Sequence, residues 1–339
     1  MPNNLLNIVF AGTSDFAAKI LSSLLTSPAY NKIFTISAVY TQPDRESGRG
    51  RKVIPTPVKQ VVLNHNTINN SNLCVEQPLN FKNDADITRL QSFQPDLMIV
   101  VAYGLILPQV VLDIPKLECV NIHASLLPRW RGAAPIQRAI LAGDLESGIT
   151  IQKMEQKLDT GPSILTSSCS ILDNDTTQTL SDKLCDIAIN LIKNLIDNHQ
   201  TLLNKNNYQA QDNNLATYAH KLDKTESLID WHDSAVNIHR KVRALNPWPS
   251  VTAVCTSADS QEILFKIIDA NIIKNISDIS ANTKPGSIIN QHNKNIIIRT
   301  GDGQLEITKL QFSGGNVITA RDALNSKYKS LFTHNNILK

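Results

Sequence analysis

The sequence predicts an α/β protein with a Rossmann-like, doubly wound, mostly parallel sheet, followed by a C-terminal β-barrel domain of OB type. Apolar runs of strand length alternate with helical stretches through the first two thirds of the chain, which is typical of parallel strands covered by helices on both faces. Short β-type runs follow a helix in the last third, as in small barrels. The length of 339 residues also corresponds to about two domains.

The elements of the N-terminal region follow from this alternation. Strands are predicted at Leu5–Gly12, Phe34–Thr41, Asp96–Gly104, Glu118–Ser125 and Gly148–Glu155. Helices are predicted at Phe16–Leu25, Pro57–Asn64, Asn83–Phe93, Ala133–Ala142 and Thr176–Asn198. The turn after the first strand holds one glycine, Gly12, whereas the dinucleotide fingerprint requires three. This turn therefore argues against an NAD-binding protein.

The C-terminal region begins with a helix at Ala235–Ala244, which ends at Asn246-Pro247-Trp248-Pro249 because proline lacks the helical N–H and restricts the residue before it. Short strands are predicted at Val251–Val254, Ile263–Asp269, Gly286–Ile289, Ile296–Thr300 and Gln304–Phe312, and a last helix near Ala320–Asn325. We predict an N-terminal domain over residues 1–203, a polar linker over 204–218 and the OB-like domain over 219–339.

Composition indicates a soluble, cytoplasmic protein. The chain is 42% hydrophobic and 19% charged, and we find neither an apolar run of membrane-spanning length nor a leader-like N-terminus. Its five cysteines form no C-x-x-C pair, which argues against a disulfide scaffold or a zinc ribbon. From Leu215 onward, 15 Lys and Arg stand against 11 Asp and Glu, a net charge of +4 in a chain of net charge +3. The small basic excess of this last third suits a polyanionic partner.

The stretch from Glu118 to Ala139 carries the polar groups of greatest chemical interest. Asn121 and His123 end an apolar strand, and residues i and i+2 of a strand point to the same face. Ligands of open α/β sheets bind beyond the carboxyl ends of the strands. An amide and an imidazole in this place are therefore candidates for a ligand site, although single residues of this kind are more often structural, hydrogen-bonded groups.

The block NIHASLLPRWRGAAPIQ, which starts at Asn121, resembles the signature of the 10-formyltetrahydrofolate-dependent formyltransferases, and among them the methionyl-tRNA formyltransferases. The run RALNPWP and the later Gly301-Asp302-Gly303 turn are similar to the same family, so the resemblance covers nearly the whole chain. It implies the formyltransferase fold and a C-terminal tRNA-binding domain. It also implies transfer of a formyl group from 10-formyltetrahydrofolate, the co-substrate, to the α-amino group of methionine on initiator methionyl-tRNA.

Asp159 lies in an Asp-Thr-Gly triplet, which also occurs in aspartic proteases. That chemistry needs two carboxylates sharing one proton, and the chain has no second Asp-Thr-Gly or Asp-Ser-Gly. Asp159 could also do no more than open a turn. The resemblance implies instead that Asp159 is the catalytic carboxylate beside Asn121 and His123. It further implies that the folate side of the site is lined by Ser125, Leu126, Leu127 and Pro128, and that no metal is required.

The segment from Asp44 to Lys59 contains five bases and two acids among glycines and prolines, and we predict a mobile loop there. Such a run is often no more than a solvated charged surface. The resemblance implies contact with the tRNA acceptor arm. The residues that carry this expectation are Arg45, Arg49, Arg51 and Lys52. The basic excess of the last third adds three cations of the helix Ala235–Ala244 as candidates for phosphate contacts, namely Arg240, Lys241 and Arg243.

Three other classes of protein are alternatives to this interpretation. Glycinamide ribonucleotide formyltransferases share the Asn-x-His and Asp core but lack the C-terminal β-domain. Sugar-nucleotide formyltransferases keep a C-terminal domain with different motifs, and the basic segment from Arg45 to Lys59 and the run Asn-Pro-Trp-Pro favour tRNA instead. A non-catalytic RNA-binding protein would use the barrel alone, and the intact Asn121, His123 and Asp159 argue against it. We expect a monomer whose partners are initiator methionyl-tRNA and the folate co-substrate, without a membrane.

Overall fold

The computed structural model describes residues 5–47, 52–256, 261–273, 283–289, 295–333 and 336–339. The chain forms two compact units. The first comprises Met1–Pro135, Glu146–Ser170 and Ser181–His220, and the second Ile136–Leu145, Ile171–Leu180 and Lys221–Lys339. The described ranges contain no helix that combines the length and apolar character needed to cross a bilayer.

The first unit is built on a seven-stranded sheet. Strands up to residue 220, in chain order, are β1 (Leu6–Gly12), β2 (Phe34–Tyr40), β3 (Arg45–Ser47), β4 (Lys52–Ile54), β5 (Cys74–Glu76), β6 (Leu97–Val101), β7 (Glu118–His123), β8 (Arg131–Gly132), β9 (Glu146–Lys153), β10 (Ser163–Ser170) and β11 (Tyr218–Ala219). Helices in the same part of the chain are α1 (Asp15–Leu25), α2 (Pro57–Asn69), α3 (Asp84–Ser92), α4 (Gln109–Leu112), α5 (Pro135–Ala142), α6 (Thr177–Asp197) and α7 (His199–Leu202).

The strand order of this sheet is β10-β9-β7-β6-β1-β2-β5. Strands β5, β2, β1, β6 and β7 are parallel, whereas β9 and β10 are antiparallel additions at one edge. The predicted doubly wound, mostly parallel sheet is therefore confirmed. Because the order reverses between β1 and β6, a crevice is expected at the carboxyl ends of these strands. All five residues of β6 are buried, as expected for a central parallel strand covered on both faces.

Several elements of this unit differ from the sequence prediction. Strand β10, with the sequence SILTSSCS, was not predicted because its serines and threonines hide the apolar pattern of a strand. Helix α2 runs to Asn69 and ends there in a left-handed Asn70 cap. The predicted mobile loop after β2 is partly wrong, since β3 and β4 pair antiparallel, from Arg45 with Ile54 to Ser47 with Lys52.

The predicted linker, residues 204–218, is bonded to the rest of the first unit. It contains two short 3₁₀ turns, Lys205–Asn207 and Asn213–Leu215, and it leads into β11. Strand β11 pairs in parallel with β8, and Gln209 forms a two-bond antiparallel bridge with Ser163. A polar, Asn-rich composition therefore did not distinguish a flexible connection from an extended segment whose backbone groups are paired.

The second unit is built on an antiparallel sheet that curls as a half barrel. After α8 (Ala235–Leu245) come β12 (Val251–Thr256), β13 (Glu262–Ile273), β14 (Ile296–Arg299), β15 (Gln304–Phe312), β16 (Val317–Thr319) and α9 (Ala320–Leu324). The order is β12-β13-β15-β14, with β16 also on β15. The predicted hairpin across the Gly301-Asp302-Gly303 turn is present. The predicted strand Gly286–Ile289 is reduced to single bridges at Ser287 and Ile288.

Candidate active site

The fold brings Asn121, His123 and Asp159 together at the carboxyl end of β7. The Asn121 Nδ2 atom donates to Asp159 Oδ1 at 3.2 Å, and His123 Nδ1 lies 3.6 Å from the same oxygen. The side chains of His123 and Asp159 are only 6% and 8% exposed. The register explains the placement, because Asn121 and His123 face one way from β7 while Asp159 arrives on the turn between β9 and β10.

The carboxylate of Asp159 is held on both oxygens. Besides Asn121, Gln152 Nε2 donates to Oδ1 at 2.9 Å, and the backbone N–H of Gly132 donates to Oδ2 at 2.8 Å. Gln152 lies opposite Asn121 in the pairing of β7 with β9, so the sheet places both amides beside the carboxylate. Asp159 itself has a left-handed backbone with φ of 52°, which is uncommon for a non-glycine residue and marks a turn shaped by its surroundings.

His123 is fixed from its other side. Its Nε2 lies 2.8 Å from the carbonyl oxygen of Trp130, which can only accept a hydrogen bond, so Nε2 carries a proton. Trp130 has a left-handed backbone, with φ of 63°, and this conformation turns its carbonyl toward the imidazole. The Trp130 carbonyl therefore orients Nε2, while Nδ1 faces Asp159 Oδ1 at 3.6 Å, beyond the length of a hydrogen bond.

The segment after β7 forms a compact loop. The four residues that were predicted to line the folate side differ in their surroundings. Ser125 is 1% exposed, and its hydroxyl donates to the carbonyl of Arg129 at 2.6 Å. Thr150 donates to the Ser125 carbonyl and accepts from the Leu127 N–H. Ser125 therefore shapes the loop, while Leu126, Leu127 and Pro128 are partly exposed apolar side chains.

Sequence reasoning missed several groups of the site. Gln152 and Thr150 lie on β9 opposite Asn121 and His123, and their alternation along an apolar strand was the available signal. The loop after β6 was also missed. It follows a strand that pairs in parallel with β7, starts with a left-handed Ala102, and leaves Ile106 89% exposed.

Two of the four predicted cations of the β3–β4 segment belong to the described residues, and both lie at the surface. Arg45 is exposed and donates to Gln42 Oε1 at 2.8 Å, and Lys52 is exposed on β4. Arg49 and Arg51 lie outside the described residues. The base of the β3–β4 hairpin is tied down, because Asp44 accepts from Lys59 Nζ at 2.6 Å and from Gln77 at 2.7 Å.

The three predicted cations of α8 face different surroundings. Lys241 Nζ donates to the Leu228 carbonyl at 2.7 Å, and burial lowers the pKa of Lys241. Arg243 donates to the Asp175 carbonyl at 2.6 Å, and burial lowers the pKa of Arg243 as well. Arg240 is half-buried beside Gly143. The ammonium of Lys241 and the guanidinium of Arg243 are thus each already bonded to a carbonyl of the protein. Within the described parts of the chain, no cluster of His, Cys, Asp and Glu side chains could hold a metal ion.

Comparisons with known proteins agree with this fold. A sequence model described as formyl transferase matches residues 5–196, and one described as formyl transferase, C-terminal domain, matches residues 221–328. Among solved structures, HypX from Aquifex aeolicus in complex with tetrahydrofolic acid has a TM-score of 0.59 at 15% identity, covering 94% of this chain and 46% of that one. The sugar 3N-formyl transferase WlaRD has a TM-score of 0.59 at 20% identity, covering 92% of this chain and all of that one. These two structures share the fold, and the two sequence models define the class: formyl transferases with a C-terminal domain.

Closer relatives identify the family. The methionyl-tRNA formyltransferase of Legionella pneumophila (strain Paris) is 45% identical over 331 residues, which cover 97% of this chain and 98% of the relative. The methionyl-tRNA formyltransferase of Hahella chejuensis is 48% identical over 322 residues, with 94% of each chain covered. The chain belongs to the methionyl-tRNA formyltransferase family.

Proposed function

We propose that this protein transfers the formyl group of 10-formyltetrahydrofolate to the α-amino group of methionine on initiator methionyl-tRNA, giving formylmethionyl-tRNA for translation initiation. The observation that carries the proposal is the cluster of Asn121, His123 and Asp159, in a chain 45–48% identical to methionyl-tRNA formyltransferases over almost its whole length. The substrate amine is the nucleophile, so the protein needs no nucleophilic side chain.

Asp159 accepts the proton that leaves the attacking amine, directly or through a water molecule, and it orients His123. The position of Oδ1 supports this role, because it faces both Asn121 Nδ2 and His123 Nδ1. The bonds from Gln152 and Gly132 fix the carboxylate, so little reorganisation is needed during reaction. Loss of an acid–base group of this kind typically costs about 10²- to 10⁴-fold in rate.

Asn121 and His123 stabilise the negative charge that develops on the formyl oxygen. The Asn121 amide nitrogen has two hydrogens and gives one to Asp159, which leaves the other for the oxyanion. His123 donates from Nε2 once that hydrogen leaves the Trp130 carbonyl, and such bonds often rearrange when substrate binds. Collapse of the tetrahedral intermediate breaks the bond between the formyl carbon and N10, and N10 takes a proton as tetrahydrofolate leaves.

The folate side of the site is assigned to the loop after β7, residues Ser125, Leu126, Leu127 and Pro128. Ser125 holds the loop conformation, and the three apolar residues supply partly exposed surface. Ile106, on the loop after β6, extends this surface along the same sheet edge. Apolar walls with a few converging polar groups are the usual composition of such sites.

The tRNA contacts are assigned first to the β3–β4 segment, through Arg45, Arg49, Arg51 and Lys52. Exposed Lys and Arg side chains neutralise phosphates without reading sequence. The C-terminal domain, proposed over residues 219–339, would add contacts through Arg240, Lys241 and Arg243, of which Lys241 and Arg243 contribute less because they donate to protein carbonyls. We propose that the protein acts as a monomer in the cytoplasm, where its five cysteines, free in the structure, stay reduced.

The test is a formylation assay with purified protein, 10-formyltetrahydrofolate and charged initiator tRNA. Formylmethionine should appear on the tRNA, with turnover that disappears when either substrate is omitted. Tight tRNA binding without formylmethionine would instead favour a non-catalytic RNA-binding protein.

A further inference from the structure

An extended segment of the first unit, residues 209–219, contacts both chain segments that hold the catalytic groups. We refer to it as the strap. At its start, Gln209 exchanges two backbone hydrogen bonds with Ser163, at 2.8 and 2.9 Å, directly after the Asp159 turn. At its end, β11 pairs with β8, and the Ala133 N–H donates to the Ala219 carbonyl. The catalytic turn and the loop that anchors His123 are thus both held by one stretch of chain.

Gln211 is the side chain through which the strap contacts the Asp159 turn. Its Nε2 lies 3.0 Å from the carbonyl oxygen of Asp159, 2.6 Å from that of Gly161 and 3.2 Å from Gln152 Oε1. The first two contacts fix the backbone of the turn in its left-handed conformation. The third contact orients Gln152, whose own Nε2 donates to Asp159 Oδ1. Gln211 therefore acts on both the backbone and the carboxylate of Asp159 without touching the carboxylate itself.

Gln211 is itself oriented by a buried cation. Arg131, 2% exposed, donates to Gln211 Oε1 from Nε at 3.1 Å and from Nη2 at 2.8 Å. Arg131 Nη2 also donates to Asn213 Oδ1 at 2.8 Å. Because a guanidinium has only donors, it forces the oxygen of the Gln211 amide toward itself and the NH₂ group toward the Asp159 turn.

The strap also reaches the anchor of His123. The Trp130 N–H donates to Thr217 Oγ1 at 2.9 Å, and the Trp130 carbonyl accepts from His123 Nε2. The Thr217 hydroxyl thus holds Trp130 in its left-handed conformation, on which the direction of that carbonyl depends.

We propose that Gln211 is a positioning residue for Asp159, and that Thr217 plays the matching part for the carbonyl that holds His123. Neither residue lies in the block that resembles the formyltransferase signature, and both lie within residues 204–218, the segment predicted to be a polar linker. The inference rests on the proposed formyl transfer, since its test measures that reaction.

The first test is Gln211→Glu, with Gln209→Glu as the matched control. Both substitutions add the same charge to the strap, but the Gln209 side chain is exposed and only its backbone contacts Ser163. Gln211→Glu keeps an oxygen for Arg131 and loses the donor to the Asp159 turn. We expect kcat to fall about 10- to 100-fold, because small displacements of catalytic groups have effects of this size, while the KM for both substrates stays within about 2-fold. Gln209→Glu should behave as wild type.

The pH profile separates positioning from a general loss of structure. The new carboxylate would lie near Asp159, which is also faced by His123, and near Arg131. A like charge disfavours ionisation of Asp159, so the acidic limb of the kcat profile should move to higher pH in Gln211→Glu. Gln211→Met adds no charge and removes both the donor to the Asp159 turn and the oxygen that Arg131 bonds, so it should lower kcat at least as much and leave the acidic limb of the profile in place. This second variant also serves if Gln211→Glu folds poorly.

Thr217 is tested by the pair Thr217→Val and Thr217→Ser. Valine keeps the shape and removes the hydroxyl, so kcat should fall about 10-fold or more, whereas serine should retain most of it. Unchanged kcat in Gln211→Met and Thr217→Val would overturn the positioning role. So would an equal loss in Gln209→Glu. If wild-type protein forms no formylmethionyl-tRNA in the same assay, the proposed function fails instead, so the two failures are distinguishable.

Discussion

At the scale of single residues, the site depends on how completely Asp159 is surrounded by donors. Three N–H groups, from Asn121, Gln152 and the Gly132 backbone, converge on its two oxygens. A carboxylate accepts on every lone pair, so it satisfies all three donors at once. Any neutral replacement of the same shape must leave at least one of these donors opposed by another donor.

Asp159→Asn should therefore lower turnover by about 10²-fold or more, because both the proton acceptor and the donor arrangement are lost. Asn121→Ala and His123→Ala should have effects of the same order through loss of oxyanion contacts. The measurement is steady-state formylation. The control is Asp113→Asn, since Asp113 is exposed on a different segment and should tolerate the change. Near-wild-type turnover of Asp159→Asn would remove that carboxylate from the mechanism.

Gly132 combines a positive φ of 125° with close approach of the strap. A Cβ at this position would lie 2.6 Å from the Ala219 carbonyl oxygen, which belongs to the backbone and cannot rotate away. Gly132→Ala should lower turnover at least 10-fold, because it displaces the N–H that bonds Asp159. Gly315→Ala is the control, since its Cβ would make an ordinary 3.5 Å contact. Equal activity of the two variants would contradict the close approach.

The sequence predicted the relation between site residues that are close together in the chain, and it did not predict contacts between residues that are far apart in the chain. The i, i+2 spacing predicts that Asn121 and His123 share a face, and in the structure both lie beside Asp159. Asp159 itself is 36 residues from His123, and only the family resemblance suggested its place. Gln211 carries no local signal, because a glutamine in a polar segment looks the same whether it is solvated or bonded to a turn 52 residues away.

At the scale of elements, the paired strands β3 and β4 carry exposed charged side chains, and the residue before them, Asp44, is held by side-chain hydrogen bonds. Burial alone would raise the pKa of Asp44, but the bonds from Lys59 and Gln77 outweigh it and hold that pKa below its usual range. Gln42 connects β3 to the loop after β6, because it accepts a hydrogen bond from Arg45 and donates one to the Tyr103 carbonyl. Tyr103 lies at the start of the loop that contains the exposed Ile106.

Lys52→Ala should raise the tRNA concentration needed for half-maximal rate about 3- to 10-fold and leave the KM for the folate unchanged. Because the variant would neutralise one phosphate fewer, the slope of log affinity against log salt should also become shallower by roughly 0.7–0.9. The comparison is Lys82→Ala, an exposed lysine outside the hairpin. Equal effects of the two substitutions across a salt series would mean that the hairpin does not contact phosphate.

The pair Arg138–Glu226 in the second unit makes a pH-dependent contribution to stability. Two bonds from Arg138, at 2.6 and 3.0 Å, hold the pKa of Glu226 below its usual value, and Glu226 also caps the 3₁₀ turn Lys224–Ser227 through Asp223 N–H. Because the folded-state pKa is the lower one, this stability is complete above the ordinary glutamate pKa of 4.5 and is lost as pH falls through the folded value.

Glu226→Gln keeps the cap acceptor and removes the charge, so it should destabilise the second unit by about 1 kcal/mol at neutral pH. The difference from wild type should shrink toward zero as the pH falls below 4.5. This difference in local stability is measured by amide hydrogen exchange around residues 224–228 across a range of pH. A difference that stays constant down to acid pH would show that the charge contributes nothing.

Periodicity predicted the elements that bury an apolar face, and it missed those that do not. Strands β1, β2, β6, β7 and β9 were all predicted to within a few residues. The strands that were not predicted are short or polar, so the alternation of apolar residues is weak: β3, β4, β5, β8, β10, β11 and β16. The strap was missed for a related reason, since its bonds are made by backbone and amide groups that leave no hydrophobic pattern.

At the scale of the whole molecule, the formyl transferase and C-terminal domain matches together extend from residue 5 to residue 328, and the relatives named as methionyl-tRNA formyltransferases align over at least 94% of their own length. In the proposed mechanism, the Asn121–His123–Asp159 cluster acts on the formyl group and on an amine, which every formyl acceptor offers. We therefore propose that selection of the acceptor comes from surfaces away from the cluster, and that the β3–β4 segment is the first of these contacts.

The measurement that tests this account most directly compares acceptors at fixed 10-formyltetrahydrofolate. Initiator methionyl-tRNA, free methionine and a dTDP-linked amino sugar are supplied at equal concentration, and the formylated product of each is quantified. We expect rapid formylation of initiator methionyl-tRNA by the wild type, a loss of about 10²-fold or more in Asp159→Asn, and negligible formylation of the other two amines. Faster formylation of the amino sugar, or equal formylation of free methionine, would contradict the proposed function.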